Sequence, residues 1–221
     1  MYKGLIFDLD GTILNTLTDL ANAGNYTLRK LGYKEYPVEC YKRFVGNGIP
    51  KLVERILPDG RANGKYETAL ELFKDYYSLH KKDFTTPYDN IYELLHELSQ
   101  KGIRLAVATN KPHEVAGEIV GLYFGDVFER VEGQRVGRPT KPDPTVAEEI
   151  IEGFGLEKDR VLFIGDSDVD MITAFNAGVD SCGVLWGFRD ENELRKNGAK
   201  YIARDVNELK MIVSGDFDEK N

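Results

Sequence analysis

Asp8-Leu9-Asp10-Gly11-Thr12 sets two carboxylates two residues apart, directly after the apolar run Gly4-Leu-Ile-Phe7. In a strand, side chains two apart point the same way, so both carboxylates start out converging past the strand's carboxyl end. That is where open α/β sheets bind ligands. Two carboxylates about 4 Å apart repel by roughly 4 kcal/mol at an effective dielectric near 20. A site that keeps both needs a shared proton or a cation. Gly11 allows a tight turn, and Thr12 offers a hydroxyl and a backbone N–H. A second acidic cluster, Gly165-Asp166-Ser-Asp168-Val-Asp170, follows another apolar run. Helical spacing brings Asp166 and Asp170 near one face as a helix begins; capping alone would need only one of the three. Neither cluster is an EF-hand loop: counting from Asp166, Met171 and Ala177 stand where Gly and Glu are required.

Two more polar groups stand at element ends. Thr109-Asn110-Lys111-Pro112 closes an apolar run, and Lys141-Pro142-Asp143-Pro144 precedes the helix leading to the Val161 strand. Each alone fits helix capping beside a surface lysine. With the acidic clusters they compose a phosphate site, in which carboxylates hold a hard divalent cation and Thr, Asn and Lys contact phosphoryl oxygens. Other features carry no site. Gly60-Arg-Ala-Asn-Gly64-Lys65-Tyr66 has its glycines too close for a P-loop, and Gly46-Asn-Gly48 lacks the third glycine of a dinucleotide fingerprint. His80, His96 and His113 share no ligand or triad spacing, and Cys40 and Cys182 form neither a disulfide framework nor a metal pair.

The elements that position these residues follow from periodicity. Short, continuously apolar runs at Gly4–Phe7, Ile103–Thr109, Val161–Gly165 and Ser181–Trp186 read as buried parallel strands, and Tyr201–Ala203 as a weaker edge strand. Ile91, Leu94, Leu95 and Leu98 trace a helical face that stops at Gly102. The expected core is a Rossmann-like α/β sheet covered by helices on both faces. Residues 15–83 break the rhythm: Leu17 to Leu31, Val38–Phe44, Ile49–Leu57 and Lys65–Lys82 read as helices, with no strand between them. An all-helical cap inserted into a core of residues 1–14 and 84–221 is expected, with a frayed tail after Ser214.

Composition agrees with one such chain. Its 221 residues are 42% hydrophobic and 11% aromatic, enough to bury a core. A net charge of −8 argues against a nucleic-acid binder, whose affinity rests on cations. No apolar run approaches the roughly 18 residues that span a bilayer, and the first residues lack a signal-peptide pattern. A cytoplasmic protein with no membrane or nucleic-acid partner is expected, as a monomer or homodimer.

With these motifs in order, the sequence resembles the haloacid dehalogenase superfamily. The resemblance runs over nearly the whole chain, through Asp8–Thr12, Thr109, Lys141 and Gly165–Asp170, with a helical cap after the first motif. Within the superfamily, Phe7–Thr12, Val45-Gly-Asn-Gly48, Thr109-Asn-Lys-Pro112 and Lys141-Pro-Asp-Pro144 look most like phosphoglycolate phosphatases. The resemblance implies a hydrolase acting on a small phosphate ester. Asp8 would be the nucleophile, forming an aspartyl-phosphate, and Asp10 the acid and base. Mg²⁺ would sit on Asp8, Asp166 and the Asp10 carbonyl, with Asp170 orienting Lys141 and bound water. Thr109, Lys141, Asn110, Gly11 and Thr12 would hold the phosphoryl group. Gly46, Asn47, Gly48 and Lys51, with Arg43, would receive the carboxylate of 2-phosphoglycolate at a helix start.

Other activities of the superfamily fit less well. A dehalogenase needs no leaving-group proton and should lack Asp10. A phosphonatase would need a cap lysine forming a Schiff base, for which Lys51 and Lys65 are candidates only by being lysines. A receiver module needs only some 120 residues and no cap. A sugar-phosphate phosphatase or a β-phosphoglucomutase-like phosphotransferase remains the alternative.

Overall fold

The structure, a computed structural model, describes residues 1–216. It divides into two compact units, one of Met1–Ile13 together with the chain from Pro87 onward, the other Leu14–Thr86.

In chain order, β1 (Gly4–Phe7) leads to a two-residue strand β2 (Leu14–Asn15), which pairs with β3 (Thr86–Pro87) where the chain returns. Between them lie α1 (Leu17–Lys30), α2 (Tyr41–Phe44), α3 (Ile49–Ile56) and α4 (Tyr66–His80), with 3-10 turns at Val38–Cys40 and Gly60–Ala62. The rest of the chain alternates: α5 (Ile91–Gln100), β4 (Arg104–Pro112), α6 (His113–Phe124), β5 (Arg130–Gln134), α7 (Thr145–Phe154), β6 (Val161–Gly165), α8 (Asp168–Ala177), β7 (Asp180–Val184), α9 (Glu191–Lys196), β8 (Tyr201–Ala203) and α10 (Val206–Ser214).

Six strands form one parallel sheet in the order β5-β4-β1-β6-β7-β8, with Phe7 opposite Val107 and Ile164. Ile6, Ala106, Ala108 and Phe163 pack on one face against Val146, Ile150 and Phe154 of α7 and Ala174 and Ala177 of α8. Their neighbours along the strands, Leu5, Phe7, Leu105, Val107, Leu162 and Ile164, point the other way and are also buried. The sheet is therefore covered on both sides, as the unbroken apolar runs require. Gly4 allows a close approach of α7, since a Cβ there would stand 2.8 Å from the Phe154 ring.

Three strand expectations change. β5 was not expected, because Arg130, Glu132 and Gln134 give an edge strand a polar alternation. Its buried Glu132 is held by Arg130, Arg135 and Arg138. β4 runs three residues past Thr109, through a register shift opposite β5. β7 ends at Val184, so Trp186 leaves the sheet in a turn. The expected frayed tail falls largely on residues 217–221, outside the described residues.

The Leu14–Thr86 unit packs its helices around Leu28, Tyr41, Val53, Phe73 and Tyr77. A Cβ at Gly24 would meet the Tyr41 ring, so α1 passes directly over it. Asp19, buried in α1, accepts hydrogen bonds from the Phe84 and Thr85 amides and the Thr85 hydroxyl, tying the returning chain to the first helix. Among the described residues, no helix is long and apolar enough to cross a membrane.

Candidate active site

Parallel strands bring their carboxyl ends to one edge, and the loops leaving β1, β4, β6 and β7 meet there. Asp8 is buried, with Oδ1 2.9 Å from Lys141 Nζ. The lysine ammonium is that oxygen's partner. Lys141, also buried, donates to Asp170 Oδ1 at 2.6 Å. Its backbone is fixed by the Asn110 side chain, which donates to the Lys141 carbonyl and accepts from its amide at 3.0 and 2.9 Å. Asp170 Oδ2 accepts from the Ser167 amide and hydroxyl, a capping box that starts α8. Asp166 lies before that helix, so it reaches Asp170 through the turn at Ser167 rather than through helical spacing. Its Oδ1 accepts from the Thr12 hydroxyl at 3.0 Å and its Oδ2 from the Phe188 amide at 2.9 Å. Gly11 adopts φ +92°, and a Cβ there would stand 2.4 Å from Asp166 Oδ2. Only glycine lets the two loops come this close.

Carboxylate oxygens of Asp8, Asp166 and Asp170 all lie within 4.8 Å of one another. Asp10 turns its carboxylate to Lys111 instead, whose Nζ donates to Oδ1 at 2.7 Å. Thr109 lies beside them, its hydroxyl accepting from the Lys111 amide at 3.3 Å. Of the sequence-derived site residues, Asp8, Asp10, Gly11, Thr12, Thr109, Asn110, Lys141, Asp166 and Asp170 are brought to this edge. Gly46, Asn47, Gly48 and Lys51 belong to the other unit. There Gly48 precedes α3, Asn47 accepts from Arg55 at 2.7 Å, and Lys51 pairs with Glu54 at 2.6 Å.

Burial, then the neighbouring Asp170, pushes Asp8 up to about 6 from 3.8. Asp166 is raised well above its ordinary value by burial, Asp170 and Asp8, against the opposing Phe188 amide and Thr12 hydroxyl. Burial alone would lower Lys141, but the charges of Asp170 and Asp8 outweigh it and hold the ammonium protonated. Four carboxylates thus face the two ammoniums of Lys111 and Lys141, a formal surplus equal to one divalent cation's charge. The donors are all oxygen, and the carboxylates of Asp8, Asp166 and Asp170 are buried together. A hard divalent cation fits both facts.

This surplus has a measurable sign. Asp8 titrates at about 6 in the fold against an ordinary 3.8, so the folded state binds the extra proton. Its share of stability is present below about pH 4 and lost as pH rises through about 6. A cation that binds the charged carboxylates offsets that loss, so the Tm gain from Mg²⁺ should grow between about pH 5 and about pH 7.5. Melting curves with and without Mg²⁺ across that range check it; a flat gain would contradict it.

Four residues were given no role by the sequence. Lys111 stands two positions after Thr109 in a strand, and period-2 spacing was the available signal. Trp186 and Phe188 act through an indole and a backbone amide that no motif marks. Tyr88 is a half-buried phenol raised by partial burial and by Asp166 and Asp10.

Residues 5–184 match the family described as haloacid dehalogenase-like hydrolase. The chain belongs to this family. Within it, the chain is an enzyme of the phosphatase type, similar to phosphoglycolate phosphatases. It is 33% identical over 186 residues to the phosphoglycolate phosphatase of Aquifex aeolicus, covering 83% of this chain and 85% of that one. To the Neisseria meningitidis enzyme of the same name it is 35% identical over 202 residues, covering 89% and 86%. A crystal structure from Lactobacillus delbrueckii, provisionally assigned as a phosphoglycolate phosphatase, superposes with a TM-score of 0.92 at 34% identity over 96% and 98% of the two chains.

Proposed function

We propose that the protein is a Mg²⁺-dependent phosphomonoester hydrolase working through an aspartyl-phosphate on Asp8, with 2-phosphoglycolate as substrate and the cytoplasm as its compartment. The observation that carries the chemistry is Asp8 itself. Its buried carboxylate is paired with a charged lysine and lies among other buried carboxylates. The substrate rests on the relatives' names.

Asp8 attacks phosphorus, its P–O bond forming as the ester P–O bond breaks. Asp10 gives a proton to the leaving alkoxide and then takes one from the water that attacks the acyl phosphate. Lys111, on one Asp10 oxygen, leaves the other to carry that proton. Lys141, locked by Asn110 and Asp170, and the Thr109 hydroxyl hold the transferring oxygens. Asp8 and Asp166, with the Asp10 carbonyl, would hold Mg²⁺, and Asp170, already engaged by three donors, orients Lys141. The cation supplies charge neutralisation, so that an anionic carboxylate can meet an anionic phosphate. The Leu14–Thr86 unit is the cap in this reading, and Gly46, Asn47, Gly48 and Lys51 are its carboxylate-recognising group.

Asp10→Asn should lose activity by about 10²-fold or more on alkyl phosphates and much less on p-nitrophenyl phosphate, whose leaving group needs little protonation. Equal losses on both would assign Asp10 to the metal site alone. For the substrate, kcat/KM across a panel of phosphate esters is decisive. With 2-phosphoglycolate it should exceed ethyl phosphate by about 10²-fold, roughly 3 kcal/mol, and Lys51→Ala should narrow the gap. A preference for hexose phosphates would move the protein to the sugar-phosphate enzymes.

A further inference from the structure

The turn after β7 touches the acidic site at three consecutive residues. Trp186 donates its indole N–H to the Thr12 carbonyl at 2.9 Å, across 174 positions of sequence. Phe188 donates its amide to Asp166 Oδ2 at 2.9 Å. Between them Gly187 lies so close that a Cβ would stand 2.2 Å from the Asp166 Cβ and 2.5 Å from the Gly11 carbonyl oxygen. Arg189 ends the turn, its guanidinium 3.1 Å from Glu193 and 3.9 Å from Asp168 at the start of α8.

We propose that Trp186-Gly187-Phe188 is a positioning clamp for the divalent-cation site, acting through Thr12 and Asp166. An ionised carboxylate has about four lone-pair positions. The Thr12 hydroxyl takes one on Oδ1 and the Phe188 amide one on Oδ2, fixing the plane of Asp166 and leaving the remaining positions for a cation. The Thr12 hydroxyl can hold that angle only if its own backbone is fixed, and the Trp186 indole fixes it. Groups that orient a metal ligand without touching the metal commonly set affinity by 10- to 100-fold. Core packing does not require the arrangement, because Trp186 has left the sheet and is only half-buried. This inference rests on Asp166 being a ligand, as proposed above.

Mn²⁺ binding to the full chain, followed by the loss of the free-ion paramagnetic resonance signal, tests it without reference to turnover. Trp186→Phe keeps an aromatic ring there and removes the N–H. It should weaken Mn²⁺ binding about 10-fold, while KM for the phosphate ester at saturating Mg²⁺ stays within about twofold. Gly187→Ala, which drives a Cβ into Asp166, should weaken binding further; if that variant does not fold, Trp186→Phe still decides. Wild-type binding retained unchanged in Trp186→Phe would overturn the clamp. No Mn²⁺ binding by the wild-type protein would overturn the metal site itself, and the clamp with it.

Discussion

Asp8→Asn should abolish turnover, by about 10⁴-fold or more, because an amide of the same shape cannot displace an alkoxide from phosphorus. The fold should survive. Asp8 sits in a surplus of negative charge that raises its own proton affinity, chiefly through burial and then Asp170. Removing that charge relieves Asp166 as well, since Asp8 is among the groups that raise it. The variant's Tm without metal should therefore equal or exceed that of the wild type at about pH 7.5, while its Mg²⁺-dependent gain shrinks. Steady-state rates and melting curves measure both. Near-wild-type turnover would remove Asp8 as nucleophile, and a collapsed fold would show that the carboxylate serves packing first.

Lys141→Met should have the largest combined effect on stability and rate. The ammonium lies 2.9 Å from Asp8 and 2.6 Å from Asp170, with its side chain 1% exposed. Removing one partner of a buried pair strands the other, typically at about 3–5 kcal/mol. Asp8 can relieve part of this by taking up a proton, so the destabilisation should be smaller near pH 5 than near pH 7.5. Loss of a fixed cation on the transferring oxygens should also lower kcat by about 10²- to 10³-fold. Denaturant titrations at the two pH values supply the first quantity. A loss under about 1 kcal/mol at both would mean that the ammonium is not compensating the carboxylates.

Much of this site was legible because the chemistry sits on the strand ends that the apolar runs mark. Gly4–Phe7 and Val161–Gly165 were readable as buried parallel strands, and their polar ends are where Asp8 and Asp166 meet. Lys141 was legible only as a motif residue. The reciprocal bonds from Asn110 that aim it join residues 31 positions apart, beyond any local signal. β5 was missed for a physical reason: its buried Glu132 needs three arginines, and their convergence is a tertiary fact that reads in sequence as a polar loop. The strand expected to reach Trp186 stops at Val184, and the turn this creates delivers an indole and an amide to the acidic site. Backbone donors carry no residue type to recognise.

Trapping the covalent intermediate tests the proposed chemistry most directly. An acyl phosphate is reduced by borohydride to the alcohol, so quenching the wild-type enzyme during turnover should convert residue 8 alone to homoserine. The modified peptide should be the one spanning residue 8, with homoserine there, and should disappear when substrate is withheld. Reduction at Asp10, Asp166 or Asp170 instead of Asp8, or none under conditions where Asp10→Asn accumulates no acyl phosphate either, would contradict an aspartyl-phosphate on Asp8.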